Sequence, residues 1–105
     1  MTKAGKRLDA ILIETLYWVK ERKEADKVMI ICDEEVPKKL VEFLEKQQVP
    51  YNIVPSEKFK MEEGIYSIDL TRIELTEQGD PSYLRHYPQL YSELIKKYNL
   101  AETNF

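Results

Sequence analysis

Lys27-Val28-Met29-Ile30-Ile31-Cys32, then an acidic Asp33-Glu34-Glu35 ahead of Pro37, then Tyr51-Asn52-Ile53-Val54 held between Pro50 and Pro55, is the stretch that decides the fold. The first run is continuously apolar, β-branched at Val28, Ile30 and Ile31, and bounded by charge. That pattern predicts a strand covered on both faces, the usual condition in a parallel sheet. Negative charge just before Pro37 suits the first turn of a helix, and Val36, Leu40, Phe43 and Leu44 are spaced as its buried stripe. Gln47-Gln48-Val49-Pro50 ends that helix, and Tyr51 to Val54 supplies a second strand. Residues 27–54 therefore predict a βαβ unit with parallel strands and a right-handed crossover.

Upstream, Leu8, Ile11, Leu12, Leu16 and Val19 follow helical spacing, and no Gly or Pro lies between Lys6 and Val28. Ile13, Tyr17 and Trp18 fall outside that stripe, so this first helix is apolar on more than one face and must be buried on more than one side. Downstream, Glu57 to Glu63 reads as a loop or one helical turn anchored by Phe59 and Met61. After Gly64, Tyr66, Ile68 and Leu70 alternate with polar residues as a half-buried strand, and Ile73 and Leu75 continue in the opposite phase. A phase change of this kind means a bulge, a bend or two short strands. Gln78-Gly79-Asp80-Pro81-Ser82 is a turn, with Asp80 placed to cap a helix beginning at Pro81. Pro88 interrupts or restarts that helix. Tyr87, Leu90, Tyr91, Leu94, Ile95 and Tyr98 then form a stripe closed by Asn99 as a left-handed cap with Leu100 behind it. The expected architecture is a single α/β domain over residues 1–105 in the order α-β-α-β-β-α. Its sheet has three or four strands with helices on both faces, and residues 1–5 and 101–105 are loose ends.

A chain of 105 residues supports one hydrophobic core, and 43% hydrophobic with 33% charged residues is ample for it. Sixteen basic against nineteen acidic side chains give a net charge of −3 with the signs mixed along the chain. That balance lacks the basic excess of a non-specific nucleic-acid binder, although a local patch remains compatible with it. Cys32 is the only cysteine, so no internal disulfide, cysteine zinc cluster or C-x-x-C pair can form. A reducing, cytoplasmic setting is expected, with neither a signal peptide nor a membrane span and no membrane contact. Heavy use of Lys and Glu with three Gly suits a hot-environment microbe or one of its viruses.

Several residues invite chemistry. Asp33 follows the first strand of the βαβ unit and Asp69 ends the third strand. Ligands of open α/β sheets bind beyond the carboxyl ends of parallel strands, so these acids with Glu34 and Glu35 could meet around magnesium. The competing role is plainer, with residues 33–35 complementing a helix N-terminus and Asp69 facing solvent. The order strand, acidic cluster, helix, strand, strand ending in Asp resembles a response-regulator receiver domain, which implies magnesium beside a phosphoacceptor aspartate. After Asp69, however, this chain has one further helical region where that family has two more strand–helix units. A second likeness covers about thirty residues: Val28-Met29-Ile30-Ile31, the following helix and Val49-Pro50-Tyr51-Asn52-Ile53-Val54-Pro55-Ser56 look like the middle of the L7Ae/L30e ribosomal-protein family. That resemblance implies binding of kinked RNA, but the family's Gly-Asn-Glu contact segment has no counterpart here. Cys32 stands before a helix, where a dipole lowers a thiol pKa, yet three carboxylates follow it and a structural role is expected. His86 has no nucleophile motif beside it and reads as an exposed turn residue.

Seven tyrosines are the compositional excess, and Tyr83, Tyr87, Tyr91 and Tyr98 crowd the last quarter. Tyr83 is the one expected to be exposed. The reading that follows is a small non-enzymatic adaptor or regulatory protein that binds another macromolecule, as a homodimer, with no cofactor, metal or catalytic residue assigned. Ile13, Tyr17 and Trp18 are the expected self-association surface, worth roughly 5 kcal/mol of transfer energy before association costs. Tyr83, Arg85 and His86 are the expected contacts to a separate protein partner. Two alternatives are nucleic-acid binding through a local basic and aromatic patch, and a magnesium-dependent phosphoryl-transfer or nuclease-like enzyme using Asp33 and Asp69.

Overall fold

The βαβ unit forms where its sequence predicts, in a computed structural model that describes residues 3–100. Strand β2 (Lys27–Ile31) lies parallel to β3 (Tyr51–Val54), with Val28 beside Tyr51 and Ile31 beside Val54. Between them runs helix α2 (Lys38–Lys46), entered through Pro37 and left through Gln48 at φ 57°. The Val49 N–H reaches back to the Leu44 carbonyl at 2.9 Å, satisfying one of the helix's terminal acceptors. Strand β4 (Ile65–Asp69) pairs with the other edge of β2, also parallel, so the sheet order is β3-β2-β4.

The phase change after Leu70 resolves into two strands in two sheets. Strand β5 (Ile73–Leu75) leaves the main sheet and pairs in parallel with β1 (Ala4–Lys6), Ala4 beside Ile73 and Lys6 beside Leu75. Strand β1 corrects the sequence reading, which counted Ala4 and Gly5 within a loose end; the remaining loose-end assignments at residues 1–2 and 101–105 lie outside the described residues. Ala-Gly-Lys carries no apolar alternation, and what holds it is backbone bonding on both edges. Ala4 N–H donates to Arg72, and Lys6 accepts from Thr76. On the far side Asp80 N–H donates to Gly5 and Arg7 N–H to Asp80. Gly79 makes that closure feasible, since a Cβ there would stand 2.4 Å from the Lys6 nitrogen.

Side-chain alternation shows which face carries the helices. Val28, Ile30 and Ile68 are buried in one cluster with residues of all three helices, and Tyr51, Tyr66 and Cys32 pack against it. Met29, Val54 and Ile65, of opposite parity, take no part in that cluster. The helix layer is therefore on one face, where the sequence predicted helices on both. The second face is crossed by the connection from β3 to β4, which has to pass over β2 to reach the opposite edge. It contains one 3-10 turn (Ser56–Lys58), half-buried Phe59 and exposed Met61. A ten-residue crossover with no helix explains why a strand apolar on both sides needed no second helix layer.

Helix α1 (Leu8–Leu16) is the centre of the core, with every side chain from Ala10 to Leu16 buried. At Tyr17 it widens into a π-helical turn (Tyr17–Glu21), in which Arg22 N–H donates to the Tyr17 carbonyl at 2.8 Å. The sequence placed a break near residues 80–88, and the cap there is Ser82 in place of Asp80. Its Oγ accepts from Leu84 N–H at 3.1 Å and starts a 3-10 turn (Tyr83–His86), while Asp80 is occupied in the backbone bridge to Lys6. Pro88 opens α3 (Pro88–Lys97), whose Leu94 is buried; Asn99 at φ 56° and buried Leu100 close it. Among the described residues no helix is long and apolar enough to cross a membrane.

Candidate interaction surface

The π-helical turn and the 3-10 turn are far apart in sequence, and the fold sets them side by side. Tyr17 and Trp18 open the π-helical turn, off the stripe that Leu12 and Leu16 follow into the core. Both rings are half-buried and meet edge to face, centroids 5.2 Å apart at 72°. Ser82 and buried Leu84 anchor the second turn, leaving Tyr83 41% and Tyr87 58% exposed, the largest exposures of any aromatic side chain among the described residues. Tyr83 has the Trp18 side chain as a neighbour. Tyr83 and Tyr87 at this turn, with the Tyr17–Trp18 pair beside Tyr83, make up the candidate surface. The sequence reading had assigned Tyr17 and Trp18 to one surface, Tyr83 to another and Tyr87 to the core stripe.

Guanidinium groups flank it. Arg22 has the Tyr17 side chain as a neighbour and pairs with Glu24 at 3.2 Å. Arg85 lies over the Tyr91 ring, 5.6 Å from its centroid, and stands 3.8 Å from Asp9. Asp9 is itself gripped by Arg7 through two hydrogen bonds of 2.8 and 3.1 Å. His86 is exposed at the end of the same turn.

Ile13 does not belong to this surface. At 2% exposure it is sealed inside the chain by the elements packed around α1, which corrects its assignment as a self-association residue. Tyr87 makes the opposite move, out of the expected core stripe and onto the surface.

Beneath the aromatic rings lies a residue that sequence reasoning passed over. Glu14, one turn before Tyr17 and Trp18 on α1, is 4% exposed. Its Oε1 accepts from Lys6 Nζ at 3.3 Å, and its Oε2 is the single buried side-chain N or O atom without a hydrogen-bond partner among the described residues. Burial, with Glu14 nearby, pushes the Tyr66 phenol well above its ordinary range, and the same two causes in the same order raise Tyr83. The one signal in the sequence is a lone carboxylate inside the apolar run from Ala10 to Val19, a position where only Glu14 and Thr15 are polar. Thr15 is satisfied by donating to the Ile11 carbonyl at 2.6 Å.

The acids singled out for metal chemistry are engaged elsewhere. Asp33 accepts from the Ser56 N–H at 2.8 Å and the Ser56 hydroxyl at 2.7 Å, which hold its carboxyl below the usual range. Asp69 accepts from the Thr71 N–H at 3.0 Å and from its hydroxyl, with Arg72 3.7 Å away. Asp33 closes the β2–α2 corner onto β3, and Asp69 shapes the turn between β4 and β5. Among the described residues no group of three or more His, Cys, Asp or Glu is placed to hold a metal ion. Cys32 is half-buried with its thiol donating to the Glu34 carbonyl at 3.2 Å. A cleft of about 610 Å³ lies between Arg7, Lys38, Lys39 and Thr76, where Asp9 already neutralises Arg7.

No protein-family model matches this chain, and no curated protein or solved structure matches it significantly.

Proposed function

We propose that this protein is a small non-enzymatic adaptor that works by holding another macromolecule on the Tyr17–Trp18–Tyr83–Tyr87 surface, in the cytoplasm. The single observation that carries the reading is the exposure of Tyr83 and Tyr87 at one 3-10 turn, next to the edge-to-face pair of Tyr17 and Trp18. Trp, Tyr and Arg dominate the energetics of protein interfaces because they bury much apolar area at little entropic cost and keep a polar tip. A second copy of the chain is one occupant such a patch could take, and the expected homodimer would form there without Ile13.

The experiment compares the intact protein with a Tyr83→Ala/Tyr87→Ala variant. Both side chains are exposed, so circular dichroism and thermal unfolding should be nearly unchanged. Sedimentation then reads self-association, with Trp18→Glu expected to shift any dimer to monomer. Co-purification from cells producing the tagged protein reads other partners. Identical sedimentation and an identical set of retained macromolecules for all three proteins would refute the reading.

A further inference from the structure

Beyond the aromatic surface, we propose that two copies of this chain join along the free edge of β3, pairing it antiparallel with itself about a two-fold axis at Asn52. The main sheet, in the order β3-β2-β4, has two edges. Along β4 every residue from Ile65 to Asp69 is buried or half-buried, whereas Asn52 and Ile53 on β3 are exposed, Ile53 to 50%. Val28 N–H donates to Pro50 and Cys32 N–H to Val54, so the even-numbered residues of β3 turn their backbone groups toward β2. The N–H and C=O of Tyr51 and of Ile53 therefore point outward. Pro55, next in that row, has no N–H, and its carbonyl accepts from Lys58 N–H at 3.0 Å. No charged side chain stands on the strand, as Lys commonly does where an open edge must be kept from pairing.

This row of donors and acceptors is its own complement. With Asn52 facing the partner's Asn52, Tyr51 stands opposite the partner's Ile53 and Ile53 opposite the partner's Tyr51, and each of these pairs exchanges both of its backbone bonds. Every outward group is then used. On the same face each exposed Ile53 gains a tyrosine ring beside it, a favourable cross-strand pair. The charges also match. Tyr51 Oη donates to Glu45 at 2.8 Å, which marks the side of α2 that borders this edge. Lys38 lies two helical turns before Glu45 and so shares that side. The two-fold axis runs α2 antiparallel to its copy and brings each Lys38 to the partner's Glu45. Both side chains are exposed, and among the described residues neither has an ion-pair partner. A foreign strand would find the backbone groups but not this reciprocal placement of charge. Because the β4 edge is covered, the assembly closes at two. The contact is smaller than a standard interface, so the dimer forms and parts with concentration.

The test is sedimentation equilibrium of the full chain at concentrations up to about 1 mM, where a weak pairing is populated. The intact protein should pass from monomer to dimer. Ile53→Lys sets a charge on each edge against the partner's Tyr51 and should raise the dissociation constant roughly tenfold or more. Tyr83→Ala/Tyr87→Ala should leave it unchanged. The axis is read separately, so that the proposal stands or falls even if Ile53→Lys disturbs the fold. In a Cys32→Ser background, Asn52→Cys should form a covalent dimer on mild oxidation, because residues on the two-fold axis face each other without intervening hydrogen bonds. Glu57→Cys, exposed on the following turn, should not. A monomer at every concentration, a ladder beyond the dimer, or no cross-link through Asn52→Cys would overturn the edge pairing. A dimer lost in Tyr83→Ala/Tyr87→Ala yet kept in Ile53→Lys would overturn it too and assign the second copy to the aromatic surface. Failure of the aromatic surface to retain any macromolecule would count against the adaptor reading alone.

Discussion

Replacing Glu14 with Met should leave the fold as stable or make it more stable, although it removes an ion pair. Glu14 stands 4% exposed with one oxygen on Lys6 and the other on nothing. The pair is worth about 1.5–3 kcal/mol as a hydrogen bond to a charged group, and the unpartnered buried oxygen costs about 1–3 kcal/mol. A Met of similar length returns that cost and adds apolar contact with the surrounding core, so the net change runs from about zero to 2 kcal/mol in favour of the variant. Lys6→Met has the opposite sign. It strands a buried carboxylate with both oxygens unpartnered, at a cost of about 2–4 kcal/mol, a range trimmed because the Lys6 side chain is 31% exposed. The double variant should track Glu14→Met, since a missing carboxylate has no need of the lysine. Urea unfolding followed by fluorescence of Trp18, the sole tryptophan, gives all four stabilities. Thermal midpoints should separate the two single variants by about 4–8 °C per kcal/mol. If Glu14→Met lost as much stability as Lys6→Met, the unpartnered oxygen would be no burden and the reasoning would fail.

Gly79→Ala should destabilise by about 1–3 kcal/mol or more, because the new methyl meets Lys6 backbone that cannot step aside without breaking the β1 bonds. Hydrogen exchange should show the loss at the Arg7 and Asp80 amides first, and protection equal to the parent there would contradict it. Glu21 gives a pH dependence. Lys97 at 2.7 Å and the Tyr98 hydroxyl hold its carboxyl below the ordinary value, so this tie between α3 and the π-helical turn is complete above the unfolded pKa. It is lost as pH falls through the folded value. Glu21→Gln should therefore flatten the acid limb of stability against pH, while costing no more than about 1 kcal/mol at neutrality since Lys97 is 60% exposed. An unchanged acid limb would show that the contact does not persist in solution.

Much of the fold was legible because its signals are local. The βαβ unit announces itself through an unbroken apolar run, a proline-opened helix and a second strand between prolines. The reversal of phase between Leu70 and Ile73 announced a bulge, a bend or two short strands, and the chain takes the last of these. The two-sided burial of α1 was also readable, but the sequence could not say whether its second face would meet another copy or the chain's own elements. Ile13 shows the answer, since it is covered from within. Strand β1 was invisible because Ala-Gly-Lys is held by backbone groups, and a backbone has no sequence. The surface was half legible. Tyr17 with Trp18, and Tyr83 with Arg85 and His86, stood out as residue types, but that Tyr83 comes beside Trp18 is a tertiary outcome. Asp33 and Asp69 looked chemical because of where they sit on strands, and the hydroxyls of Ser56 and Thr71 that occupy them could be seen only in three dimensions.

Strand β1 also has a temporal meaning. Its partners are Ile73 to Leu75 along one edge and Asp80 along the other, so during synthesis Ala4 to Lys6 must wait until nearly all of the chain has been made. Until then α1 is tethered only by its own apolar side chains, and the helices, together with the pairing of β2 and β3, can assemble first. Addition of the first strand is then the latch that seats the 3-10 turn, and with it Tyr83, against Trp18. On that topology the turn that carries Tyr83 is closed by contacts between distant parts of the chain, which form late.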